Sequence, residues 1–149
     1  MNACTFIGHR SCPKNIKEKL FLEIENLIIN KNVDTFFVGT HGSFDKYVYE
    51  TLSELEKKYK IEIKVVLSYL NIKKDSTYYD TEKTIFPDCL AKTPPRFAIS
   101  KSNNYMLKNS NYLISYLNSP FSNTITFVEE AIKQKLLIIN LGSFSIDNI

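Results

Sequence analysis

Both histidines of the chain and three of its four glycines fall in two short turns, Gly8-His9-Arg10 and Gly39-Thr40-His41-Gly42-Ser43. A glycine directly after a strand lets the backbone approach a phosphate closely, and the N–H groups that open the next helix are donors already oriented at an anion. Arg10 can add a bidentate, charge-assisted contact. His9 can donate to a phosphate or a ribose, and Asp45, at the mouth of the helix predicted after the second turn, can accept from ribose hydroxyls or from a ligand amide. This is the chemistry of anion and nucleotide binding, with no cofactor required beyond the ligand itself.

Each turn follows an apolar run that is short and rich in β-branched and aromatic residues, Ala3–Ile7 and Thr35–Val38, the pattern of buried parallel strands. Between them, Ile16, Leu20, Ile24, Leu27 and Ile28 recur at helical spacing within Asn15–Asn30. A strand, helix, strand unit of this kind brings both glycine turns to the carboxyl edge of one sheet, where open α/β sheets bind their ligands. The remainder reads as a helix over Asp45–Lys58, a strand over Ile61–Leu67, an irregular stretch over residues 71–95, a helix over Phe97–Asn109, a strand over Tyr112–Leu117, a helix over Thr126–Lys133 and a last strand over Leu136–Leu141. The expected fold is α/β: a Rossmann-like, doubly wound, five-stranded parallel sheet in the order 3-2-1-4-5 with helices on both faces. Its switch point falls beside Gly8 and the turn after Leu117. The stretch from Asn71 to Pro95 is long enough to serve as a lid.

The 149 residues, 44% hydrophobic and 23% charged, are the size of one domain, 1–149, with a substantial core. The net charge of +3 is scattered over helix surfaces, so nucleic acid is not an expected partner. Apolar runs such as Lys135–Ile139 are far shorter than the roughly 20 residues that span a bilayer. No basic segment precedes a long apolar one, so the expected location is cytoplasmic, with no membrane partner. Cys4, Cys12 and Cys89 have no metal-ligand spacing and are odd in number, which argues for free thiols and no metal.

The segments Thr5–Arg10, Val38–Asp45, Pro94–Ile99, Asn103–Met106 and Asn111–Ile114, in that order and spacing, resemble the SLOG superfamily. This group of Rossmann-like proteins includes DprA, the cytokinin-activating LOG phosphoribohydrolases and a YpsA-like branch, and the likeness is closest to small YpsA-like proteins of Firmicutes. The resemblance implies a nucleotide or an NAD- or ADP-ribose-derived ligand, and a homodimer or higher homo-oligomer. The ligand-binding residues expected from the two readings together are Gly8, His9, Arg10, Gly39, Thr40, His41, Gly42, Phe44, Asp45, Arg96, Asn103, Phe121, Ser122, Asn123 and Thr126. Arg96, after two prolines, would clamp an anion, and Tyr105 and Phe121 offer stacking faces for a base.

The enzymes of this group carry a Gly-Gly-x-Gly-Thr-x-x-Glu loop, and here the corresponding stretch is Ser122–Glu129, with Thr126 and Glu129 kept and all three glycines replaced. Where they place an arginine four residues before a methionine, Ser102 precedes Met106. These departures favour binding over turnover: a sensor of nucleotide signals, or a sponge that sequesters them, as a phage could use against host defence. The enzymatic alternative is a phosphoribohydrolase or nucleotide N-glycosidase with Glu129 as its catalytic carboxylate. The YpsA-like branch adds a third, a regulator of cell division acting through a protein partner. The same residues also have ordinary structural readings. Asp45 suits a helix N-terminus, Thr126-Phe127-Val128-Glu129 is a capping box, Arg96 can pair with an acidic neighbour, and the tyrosines can cover core.

Overall fold

A computed structural model describes residues 2–70 and 77–149. The elements in chain order are β1 (Ala3–Gly8), α1 (Ile16–Lys31), β2 (Thr35–Val38), α2 (Gly42–Glu56), β3 (Glu62–Val66), β4 (Thr84–Ile85), α3 (Ala98–Lys108), β5 (Tyr112–Tyr116), α4 (Thr124–Lys133) and β6 (Leu137–Asn140). They form one all-parallel sheet in the order β4-β3-β2-β1-β5-β6. The five expected strands keep the order read from the sequence. The correction is a sixth strand: Thr84 and Ile85, within the stretch expected to be irregular, pair with Val65 and Val66 and cover the outer edge of β3. Two residues are too few for a periodic signal. The lid reading of Asn71–Pro95 falls partly on residues 71–76, which lie outside the described residues.

The period of two along β1 divides the core. Cys4 and Phe6 face Leu20, Ile24 and Leu27 of α1 and Val48, Leu52 and Leu55 of α2. On the opposite face Ile7 packs with Leu107, Leu113, Val128 and Ala131, and Ala3 with Phe37, Val66 and Met106. Helices α1 and α2 therefore cover one face, and α3 and α4 the other, as the doubly wound reading requires. Among the described residues no helix is long and apolar enough to cross a membrane.

Two helices start earlier than their apolar periodicity implies. Helix α2 opens at Gly42 because Ser43 is held from outside the helix, its N–H and its hydroxyl both donating to the Arg10 carbonyl. Helix α4 opens at Thr124, whose N–H donates to Ser122 Oγ at 3.0 Å. This overturns the capping box. Thr126 already lies inside the first turn, its own N–H bonded to the Asn123 carbonyl, so it cannot act as an N-cap.

One half-buried side chain joins the ends of β5 and β6. Asn140 Oδ1 accepts from Ser115 Oγ and from the N–H groups of Leu117 and Gly142, while its Nδ2 donates to the carbonyls of Leu117 and Phe144. Replacing it strands several inward-facing backbone groups at once. We expect Asn140→Ala to lower the free energy of unfolding by about 3 kcal/mol, visible in urea titrations as a lower midpoint at unchanged slope.

Candidate functional site

Along the carboxyl edge of the sheet lies a cavity of about 540 Å³. The end of β1 contributes Gly8, His9 and Arg10, the start of α2 His41 and Asp45, the region of α3 Arg96, Ile99, Ser100 and Asn103, and the start of α4 Ser122, Asn123, Thr124, Thr126 and Phe127. Segments far apart in sequence thus meet at the switch point between β1 and β5, where the order of the sheet reverses.

The two glycine turns are clasped together. Gly42 has φ +87°, a conformation open chiefly to glycine, and a Cβ there would stand 2.6 Å from Arg10 Cα. Gly8 leaves room of a different kind, since a Cβ would meet the Phe44 ring at 2.7 Å. Phe44 is 1% exposed and stacks on Tyr116 at 6.1 Å between ring centroids. It forms the floor under the β1 turn and presents no surface to a ligand. Gly39 likewise makes space for the Asp45 carboxyl.

His9 is oriented from two sides. Its ring stands edge-on to Tyr116 at 5.8 Å, and its Nε2 accepts the Asn118 N–H at 2.8 Å. The neutral ring therefore carries its hydrogen on Nδ1. Arg10 and Arg96 are both exposed, and neither forms an ion pair among the described residues. Instead of an acidic partner, Arg96 has the ring of Phe97 beneath its guanidinium at 4.8 Å.

Several expected residues stand apart from the cavity. Gly39, Thr40 and Gly42 shape the second turn without lining it, and Glu129 is exposed, one helical turn beyond Thr126 and outside the lining. Phe121 is 95% exposed. Tyr105, read as a stacking surface, packs its ring against Phe37 at 6.3 Å. Sequence reasoning missed Asn118, Ser68 and Asn140. Ser68 and Asn140 are polar residues that close apolar strands at the carboxyl edge, and this position was the available signal.

The comparisons with known proteins bear on the fold. It resembles that of DNA processing protein A (DprA) from Streptococcus pneumoniae. The X-ray structure of that protein matches with a TM-score of 0.66 at 14% identity, over 93% of this chain and 50% of the other. The chain thus spans half the length of this neighbour, and the likeness establishes a Rossmann-like α/β fold. No protein-family model matches the sequence, and neither does any curated protein.

Burial governs the electrostatics of the cavity. Asp45 is 9% exposed, and desolvation pushes its pKa up to about 7 against the opposing effect of the His41 N–H, which donates to Oδ2 at 2.9 Å. Burial lowers the pKa of His9, and burial followed by the charge of Arg10 lowers that of His41. As pH rises from about 4 to about 7, the unfolded chain releases the Asp45 proton while the folded chain keeps it, so Asp45 makes the fold less stable across that window. The histidines act with opposite sign: the stability they lend is complete above their ordinary value of 6.5 and is lost as pH falls through their lowered values. Asp45→Asn keeps an acceptor for His41 and removes the ionisation. We expect the variant to match the wild type near pH 4 and to exceed it at pH 8 by on the order of a few kcal/mol, read from urea unfolding at both values.

Proposed function

We propose that this chain is a SLOG-like protein that binds a nucleotide, or a small molecule derived from NAD or ADP-ribose, and serves as a sensor or a sequestering sponge for such signals. The observation that carries the reading is the convergence on one cavity of two arginines without ion-pair partners among the described residues, a histidine presenting Nδ1–H and a buried carboxyl group. The volume falls within the roughly 300–1,000 Å³ of small-molecule sites. Arginine forks suit phosphate oxygens, while the histidines and Asp45 suit sugar hydroxyls and base edges.

Binding is favoured over hydrolysis. Cleavage of an N-glycosidic bond needs an ionised carboxylate beside the developing positive charge on the sugar. Glu129 lies outside the cavity, and Asp45, held neutral below about pH 7 by burial, is poorly suited to that role. The neighbour's name raises DNA as a partner, yet the arginines sit on a cavity and not on an exposed basic stripe interleaved with aromatics, which favours a small ligand. The remainder of the proposal is a homodimer or higher homo-oligomer working in the cytoplasm.

The test is thermal unfolding with AMP, NAD, ADP-ribose and cyclic ADP-ribose, followed by mass spectrometry of what the denatured protein releases. A ligand at a hundredfold its dissociation constant adds about 2.7 kcal/mol, so the melting temperature rises by several degrees. Arg10→Glu and Arg96→Glu, both at exposed positions, are expected to abolish that rise while leaving the unliganded melting temperature within about 2 °C of wild type. Release of the ligand intact supports a binder; release of free base and sugar phosphate overturns it.

A further inference from the structure

A line of side chains ties the second glycine turn to helix α3. His41 Nε2 lies 3.1 Å from Ser68 Oγ, Ser68 Oγ lies 2.8 Å from Ser102 Oγ, and the Ser102 hydroxyl donates to the Ile99 carbonyl at 2.9 Å. Ser68 and Ser102 are 4% and 2% exposed, so bulk water does not compete for these bonds. Ser102 is the position at which the LOG enzymes place an arginine, and here it is the fixed end of a buried relay.

The Ile99 carbonyl gives the relay one consistent direction. A hydroxyl has one hydrogen. The Ile99 carbonyl can only accept, so with the Ser102 hydrogen placed there Ser102 accepts from Ser68, in a contact where either hydroxyl can donate; the hydrogen of Ser68 is then used, and toward His41 it can only accept. The one N–H of a neutral imidazole is thereby placed on Nε2. Nδ1 keeps its lone pair and has no hydrogen-bond partner among the described residues, on a residue that lines the cavity. His9 is fixed in the opposite tautomer by Asn118. Two histidines in similar glycine turns thus present opposite faces, one a donor and the other an acceptor.

We propose that His41 Nδ1 is the specificity-determining acceptor of this cavity, that Ser68 and Ser102 are the positioning residues that keep it an acceptor, and that the ligand meets it with an uncharged O–H or N–H donor. This rests on the reading of the cavity as a nucleotide site and narrows it. A ligand with the required donor carries a ribose hydroxyl or an exocyclic base amine, and a ligand offering only an acceptor there is rejected because two lone pairs would face each other.

The chain has two histidines, so a long-range proton–nitrogen correlation spectrum of the ¹⁵N-labelled protein at pH 8 contains two imidazoles. The expected spectrum shows one ring protonated at Nδ1, assigned to His9 by its loss in His9→Gln, and one at Nε2, His41. Ser102→Ala frees the hydrogen of Ser68 to turn toward His41, so the His41 signals move toward the Nδ1–H form, and Ser102→Thr restores them. Ser68→Ala repeats the test from the other end of the relay if Ser102→Ala does not fold. A wild-type His41 protonated at Nδ1, or a tautomer unchanged in both alanine variants, overturns the proposal. With ADP-ribose as probe, Ser102→Ala is expected to weaken binding about tenfold and Ser102→Thr to recover it, whereas unchanged affinity in Ser102→Ala overturns the positioning role. The hypoxanthine counterpart of ADP-ribose, which lacks the base amine, separates the two donors: weakened binding assigns the amine and equal binding the ribose hydroxyl. If wild-type protein binds none of the nucleotides, the nucleotide reading fails, and the spectrum still decides the tautomer.

Discussion

The site depends on the backbone of Arg10 entering the space that a side chain at residue 42 would fill. Gly42, at φ +87°, admits it, and the Arg10 carbonyl is then bonded by the N–H and the hydroxyl of Ser43. The same hydroxyl accepts the Cys12 N–H at 2.9 Å, so the loop after β1 is held at both Arg10 and Cys12 by one residue of α2. His9 and Arg10 reach the cavity from one loop, His41 and Asp45 from the other. Their spacing is set where the two backbones touch, and any Cβ at residue 42 would have to push the loops apart.

That contact also explains why α2 sends its first-turn side chains beneath both strand ends. Phe44 runs under Gly8 and Asp45 beside Gly39, so each strand terminus is small because a large or charged neighbour occupies the adjoining volume. For Phe44 the result is favourable burial against Tyr116. Asp45 is a liability to the fold, since its carboxyl is dehydrated and the His41 N–H only partly compensates. Asp45 is thus a point where the fold gives up stability at the wall of the cavity.

Periodicity and glycine placement made most of the architecture legible. The apolar runs of β1, β2, β3, β5 and β6 and the helical spacing in α1 and α2 are strong local signals, and they suffice to order five strands. What escaped depends on tertiary context. Strand β4 exists because the edge of β3 offers partners to two residues. The starts of α2 and α4 are set by two hydroxyls, that of Ser43, which takes the Arg10 carbonyl after β1, and that of Ser122, which accepts the Thr124 N–H. At the site, Gly8, His9, Arg10, His41, Asp45, Arg96, Asn103, Ser122, Asn123 and Thr126 do meet. Phe44 and Tyr105 are aromatic residues of the kind that could face either a base or a core, and only packing assigns them to the core. Ser102, read as a missing arginine, is a residue in its own right, because a buried hydroxyl acquires a role only from the two groups it joins.

Asn140 bears on the order in which the parts of this molecule become available during synthesis. The strands that define the switch point, β1 and β5, are complete by residue 116, yet the segment that follows β5 takes most of its bonds from residues 140–144. Asn140 holds Leu117, and Ser143 donates its N–H and its hydroxyl to the Asn118 side chain, while the Asn118 N–H fixes His9. A chain emerging from its amino terminus can therefore pair the centre of its sheet early, but it lacks the partners that set His9 until residues 140–144 have been made. The groups that line the cavity fall between residues 6 and 127, and the alignment of His9 among them is imposed from residues 140–144.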